Sequence, residues 1–227
     1  MITLTDVSKW YFGETPVLNR VQLKVTRGDF LYVLGGSGAG KSSLLRMLAT
    51  EEKPSSGKIE LFGYAVHEMS ASTLRNVRQS IGYIPQNIRL IPDLTVQENI
   101  TLALSLAGPR AAVGGSARSR VQEVLERTGL THVAYKEASE ISGGEAQRVA
   151  IARALIRKPD LIIADEPTGA QDRDHTWNVM NLFISANAAG TSVIVATHDR
   201  EIIRRVRKKC VLLKGGLIAV EDSLCIY

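Results

Sequence analysis

Residues 29 to 49 read DFLYVLGGSGAGKSSLLRMLA, and the way this stretch folds decides the rest. A short apolar run ends in glycine, the pattern of a buried strand feeding a tight turn, and from Lys41 onward apolar residues recur at helical intervals. Gly35 to Ser42 match G-x-x-x-x-G-K-[ST] between a predicted strand and a predicted helix, the context that motif requires. Glycines let the backbone wrap an anion so that N–H groups point inward, and the helix start adds partial positive charge. Gly35, Gly36, Ser37, Gly38, Ala39 and Gly40 are therefore candidates to cradle phosphates. Lys41 would reach the β- and γ-phosphates, Ser42 would place its hydroxyl on Mg²⁺, and Ser43 follows at the helix start. The loop predicts nucleotide binding but leaves the chemistry open, because kinases, GTPases and ATPases all use it.

Outward from this loop, DLIIADEP (160 to 167) and TSVIVATHD (191 to 199) read as central parallel strands. Between them RDHTWNVMNLFISANAAG (173 to 190) has helical spacing and stops at Gly190. Strand, helix and strand in that order predict a right-handed parallel unit. From ITLTDVSKWYF to KIELFG, polar and apolar residues alternate between Gly and Pro turns, which predicts a small antiparallel sheet. Residues 87 to 158 lack a convincing central strand. In ARSRVQEVLERTGL, Val121, Val124, Leu125 and Leu130 share a face and Gly129 ends the helix. The expected organisation is one α/β domain, with 1–86 and 159–227 as the core and 87–158 as a helical insertion. GPRAAVGGSA (108 to 117) is its expected flexible connection.

The 227 residues suffice for a sizeable core. A formal charge of +5 permits an anionic ligand, a membrane surface or nucleic acid without selecting one. Cys210 and Cys225 lack metal-ligand spacing, and a chain this long needs no staple, so reduced thiols in a cytoplasm are expected. The N-terminus does not read as a signal peptide, and no apolar run approaches the roughly 18 residues of a membrane span. Any membrane role is expected to run through a partner.

Two further features carry chemistry. Asp165 and Glu166 close an apolar strand, where one carboxylate can hold the Mg²⁺ shell and the next can polarise an attacking water. ISGGEAQR (141 to 148) looks like a second anion-facing helix start. Ser142 and Glu145 have capping-box spacing, but a cap does not explain Gly143 and Gly144, which each weaken a helix start by roughly 1 kcal/mol relative to Ala. Glycines there make sense if something must approach the backbone closely.

With these motifs in order (phosphate loop, PQN, ISGGE, DEPTG, THD), the chain resembles the ATPase subunits of ABC transporters from end to end. The resemblance implies a P-loop NTPase of ABC type that hydrolyses ATP with Mg²⁺ as a head-to-tail homodimer. The signature at Ser142, Gly143, Gly144 and Glu145 would then close over the γ-phosphate held by the other copy. It further implies that Tyr11 stacks on adenine, Gln86 touches the metal or attacking water, and Asp165 supports Mg²⁺. Glu166 would be the general base, His198 would contact the γ-phosphate, and Asp172 would lie at the dimer seam. Two departures stand out: Glu145 replaces the commoner Gln, and Gln171 stands before Asp172 where many relatives have an apolar residue. The chain is most similar to a bacterial branch that includes a cell-division ATPase, a lipoprotein-releasing ATPase and macrolide exporters, and it leans toward the cell-division member. That branch implies an integral membrane partner with few spans, with this chain held peripherally through it at the cytoplasmic face of the inner membrane. DNA-repair relatives carry long coiled-coil or zinc insertions that this chain lacks, so no nucleic-acid partner is expected. The basic run REIIRRVRKK (200 to 209) reads as a solvated helix face.

Overall fold

The computed structural model describes residues 1–11, 13, 15–108, 115–169 and 173–222. Asp172, Gln171, Cys225 and most of the 108–117 connection lie outside them. The order is β1 (Ile2–Lys9), β2 (Leu18–Val25), β3 (Phe30–Leu34), α1 (Lys41–Leu48), β4 (Ser56–Leu61), β5 (Tyr64–Ala65), α2 (Ala71–Gln79), β6 (Ile81–Ile84), α3 (Val96–Ser105), α4 (Ala117–Arg127), α5 (Gly143–Leu155), β7 (Leu161–Asp165), α6 (Arg173–Ala188), β8 (Ser192–Ala196), α7 (Arg200–Arg205), β9 (Lys209–Lys214) and β10 (Leu217–Asp222).

Two sheets form, an antiparallel one in the order β2-β1-β4-β5 and a larger one in the order β10-β9-β3-β8-β7-β6. In the larger sheet only β10 runs antiparallel to its neighbour, so the α/β class with a separate small antiparallel sheet is as expected. Every residue of β3, β7 and β8 is buried, which is why they read as unbroken apolar runs rather than alternating ones.

The two-residue period of a strand sorts their side chains between two cores. Phe30, Tyr32, Ile162, Ala164, Val193 and Val195 pack with α3, α4, α5 and α6. Leu31, Val33, Leu161, Ile163 and Ile194 pack with α1 and the antiparallel sheet. Val121, Val124, Leu125 and Leu130 are at most 5 % exposed, as their shared face predicts, and Gly129 ends that helix with φ +65°.

The described part of 87–158 holds α3, α4 and α5 and no strand. Its entry loop is pinned by Asn99, whose amide donates to the carbonyls of Ile91, Leu94 and Thr95 and accepts from the Ile91 N–H. Thr95 and Glu98 form a capping box at the start of α3.

Two details depart from expectation. The basic run is not one helix face: α7 stops at Arg205, Val206 turns out of helical geometry with ψ 80°, and Lys209 opens β9 beside β3. The tail therefore adds two strands to the sheet edge. Cys210 in β9 is disulfide-bonded, not a reduced thiol.

Register fixes what the sheet presents. Val33 and Asp165 both lie opposite Ala196, so β3, β7 and β8 end level. Gly35, Glu166 and His198 thus emerge along one edge, the carboxyl end of the strands where open parallel sheets hold ligands.

Candidate active site

The phosphate loop joins β3 to α1. A Cβ on Gly35 would come within 2.7 Å of the Leu213 carbonyl, and one on Gly40 within 2.8 Å of Leu18 and the Val17 carbonyl, so both positions need glycine for packing. Gly38 and Gly40 also hold positive φ, +74° and +99°. Helices α2, α3, α4, α5 and α7 each start with a Ser, Thr or Asp side-chain cap. At α1 the cap is Gly40, with no side-chain bond. An uncapped start facing the end of a parallel sheet offers its N–H groups to an anion. Lys41 Nζ donates to the Gly35 carbonyl at 2.8 Å and the Gly36 carbonyl at 3.2 Å and lies 3.6 Å from Glu166 Oε1.

Asp165 is 2 % exposed, and burial pushes its carboxyl above the usual range, offset by a hydrogen bond from the Ser42 hydroxyl and reinforced by the neighbouring Glu166 charge. Its Oδ1 is buried with no hydrogen-bond partner among the described residues. An orphaned anionic oxygen beside a serine hydroxyl fits Mg²⁺, which takes oxygen ligands, keeps several waters and binds through one or two carboxylates plus substrate phosphates. A dedicated protein cage is absent: among the described residues no group of three His, Cys, Asp or Glu side chains could hold a metal. Gln86 lines the same groove as Asp165. Asp165→Asn should therefore leave the ligand-free protein at least as heat-stable as the parent, since it removes a buried charge. It should also lose most of the extra melting-temperature rise that Mg²⁺ adds to ATP. An unchanged Mg²⁺ increment would remove Asp165 from the metal site.

Glu166 sits just past β7 with φ +48°, a left-handed conformation that costs a non-glycine residue about 1–3 kcal/mol. Its N–H bonds the Ala196 carbonyl at 3.0 Å. Both carboxylate oxygens lie 3.0 Å from His198 Nδ1, so the structure brings together Lys41, Glu166 and His198.

Tyr11 reaches the loop from the other side. Its hydroxyl donates to Glu52 at 2.7 Å and lies 3.1 Å from Ser43 Oγ, while Lys9 Nζ sits 5.0 Å from its ring centroid. Lys9 and Arg46 hold Glu52 at 3.1 and 3.3 Å. Glu52 went unnoticed in the sequence because nothing local marks a contact 41 residues away.

The ISGGE stretch opens α5 elsewhere. Ser142 Oγ accepts from the Glu145 N–H, while Glu145 Oε2 accepts from the Ser142 N–H at 2.8 Å and its hydroxyl at 2.6 Å, the capping box expected from the spacing. These bonds, helped by His132, hold the Glu145 carboxyl down at about 2. A Cβ on Gly143 or Gly144 would meet nothing within 4 Å, and neither has positive φ, so nothing described in this chain requires glycine there. Ser142, Gly144 and Glu145 line a groove with α4 and α6 that contains no residue of the phosphate loop. Asp172 lies outside the described residues.

The ABC transporter family profile matches residues 18–169. The cell division ATP-binding protein FtsE of Bacillus subtilis is 39 % identical over 98 % of this chain and 96 % of its own length. FtsE of Mycobacterium tuberculosis is 37 % identical over 100 % and 98 %. The methionine import ATP-binding protein MetN of Brucella abortus is 39 % identical over 99 % of this chain but 60 % of its own length. Among solved structures, a dimeric ATP-binding cassette in a post-hydrolysis state, bound to ADP and Pi, superposes with a TM-score of 0.91 at 33 % identity over all of both chains. With the phosphate loop, the strand-end carboxylates and the capped glycine pair all carried on this fold, the chain belongs to the ABC transporter family as one of its ATP-hydrolysing members.

Proposed function

We propose that the chain works as a head-to-tail homodimer in which the phosphate loop of one copy and the Ser142 helix start of the other enclose each ATP. The observation that carries this is that the Ser142 helix start lines a groove containing no phosphate-loop residue, with glycines that nothing among the described residues of its own chain requires. Gly35 to Ser43 bind the phosphates, Tyr11 offers its ring to adenine, and Ser42, Asp165 and Gln86 hold Mg²⁺. When bound, Mg²⁺ supplies positive charge against the β- and γ-phosphate oxygens. Glu166 takes the proton of a water whose oxygen bonds to the γ-phosphorus as the bond to the bridging oxygen breaks. ADP leaves with that electron pair, and His198 and Lys41 offset the charge.

Residues 87–158 act as a helical subdomain against a core of 1–86 and 159–227. A groove of about 630 Å³ runs from Asp165 and Gln86 to Ala103 and Leu106 between them. This is the surface we assign to an integral membrane partner with few spans, with the chain at the cytoplasmic face of the inner membrane. No helix among the described residues is long and apolar enough to cross a membrane itself. The 37–39 % identity to FtsE proteins over nearly all of this chain supports a role in cell division. Lipoprotein release or macrolide and peptide export is the second reading within the same branch. Affinity capture from detergent-solubilised membranes should retrieve a membrane protein of few spans, and Leu106→Glu should lower its yield severalfold. Retrieval of a many-span permease would move the chain to the importers.

A further inference from the structure

His132 projects from a one-turn helix (Thr131–Val133) that follows α4 and is anchored by buried Leu130 and Val133. Its Nε2 lies 3.1 Å from Glu145 Oε1. The other oxygen, Oε2, takes both the N–H and the hydroxyl proton of Ser142. One carboxylate is thus shared between an exposed imidazole and the serine that opens α5.

This creates a conflict that the phosphate loop does not have. A full negative charge stands three residues into a helix whose start must receive a highly charged phosphate, and it also holds the serine proton that the phosphate would need. A glutamine at 145 would give the same cap without the charge. An imidazolium 3.1 Å from Oε1 offsets that charge and so weakens the hold of Oε2 on the Ser142 hydroxyl. The groove's other charged groups among the described residues are Glu126 and Arg127 of α4 and Arg148 of α5, while α6 contributes uncharged Asn178, Asn181, Leu182 and Ser185. Of these side-chain types, only imidazole has its ordinary pKa value between pH 5 and 8.

The geometry points to His132 as a positioning residue for the composite ATP site, acting through Glu145 to let Ser142 turn its hydroxyl toward the γ-phosphate held by the facing copy. This rests on the head-to-tail reading above. The test uses protein disabled in hydrolysis by Glu166→Gln, with dimer formation followed by light scattering as Mg-ATP is raised at pH 6 and pH 8. Adding His132→Gln should raise the half-saturating ATP concentration by about two- to fivefold at pH 6, the size of an exposed ion pair, and much less at pH 8. His132→Lys should restore tight closure at both pH values. With Glu145→Gln also present, His132→Gln should change nothing further. Comparing variants at each pH cancels any effect of pH on the rest of the protein, which all of them share. An equal effect at both pH values, or one that persists beside Glu145→Gln, reduces His132 to a structural contact and overturns the proposal. Failure of the Glu166→Gln protein to dimerise at either pH sinks the head-to-tail reading, and the proposal with it. Dimerisation indifferent to His132 sinks only the proposal.

Discussion

Glu166→Gln should bind ATP about as well as the parent, lose about 10²- to 10⁴-fold in turnover, and accumulate as a stable dimer in Mg-ATP. The amide keeps the size and hydrogen-bonding reach of the carboxylate, so the contacts within 3.0 Å of His198 can persist. It cannot accept a proton from water at neutral pH, which removes the base. It also deletes one negative charge beside Lys41, 3.6 Å away, where the γ-phosphate would otherwise be repelled. Nucleotide that cannot be split holds the closed state, so the same change that stops chemistry should strengthen association. Phosphate release under single-turnover conditions and light scattering measure the two halves of this expectation. Hydrolysis near the parental rate would take the base role away from Glu166.

Ser142→Arg should leave ATP binding by the monomer intact and lower hydrolysis by at least about 10²-fold, the usual cost of losing one transition-state donor. Loss of the cap costs α5 about 1 kcal/mol, too little to unfold a helix buried along most of its length. Lys41→Ala fails for the opposite reason: it spoils the copy's own phosphate loop and keeps a sound Ser142. Mixing the two should yield dimers with one sound site, built from Lys41 of the first variant and Ser142 of the second, and turnover should return in part. Weakened ATP binding in the Ser142→Arg monomer would mean that Ser142 serves its own chain.

How much of this was visible before folding depended on the distance over which each signal acts. The phosphate loop, β7 and β8 were legible because a strand buried on both faces writes an unbroken apolar run and the loop writes glycines at fixed spacing. β6 was not, since IGYI is four residues long and gains its place only by pairing with β7. β9 hid behind a run of basic residues that obeys helical spacing until Val206. The capping box at Ser142 was readable because its partners stand three residues apart. The contacts of Tyr11 with Glu52 and of His132 with Glu145 join residues 41 and 13 apart, on different elements, and no local pattern announces them.

Helix α5 carries a wider consequence. Its first residues face a groove shared with α4 and α6, whereas Ala150, Arg153 and Ala154 on its flank line the channel that holds Asp165 and Gln86. The same helix is buried in the core through Val149, Ile151 and Ala152, so close packing resists bending between its two ends. In the head-to-tail pair proposed above, a pull on its tip would tilt its far end and so gear each fuel chamber to the channel wall.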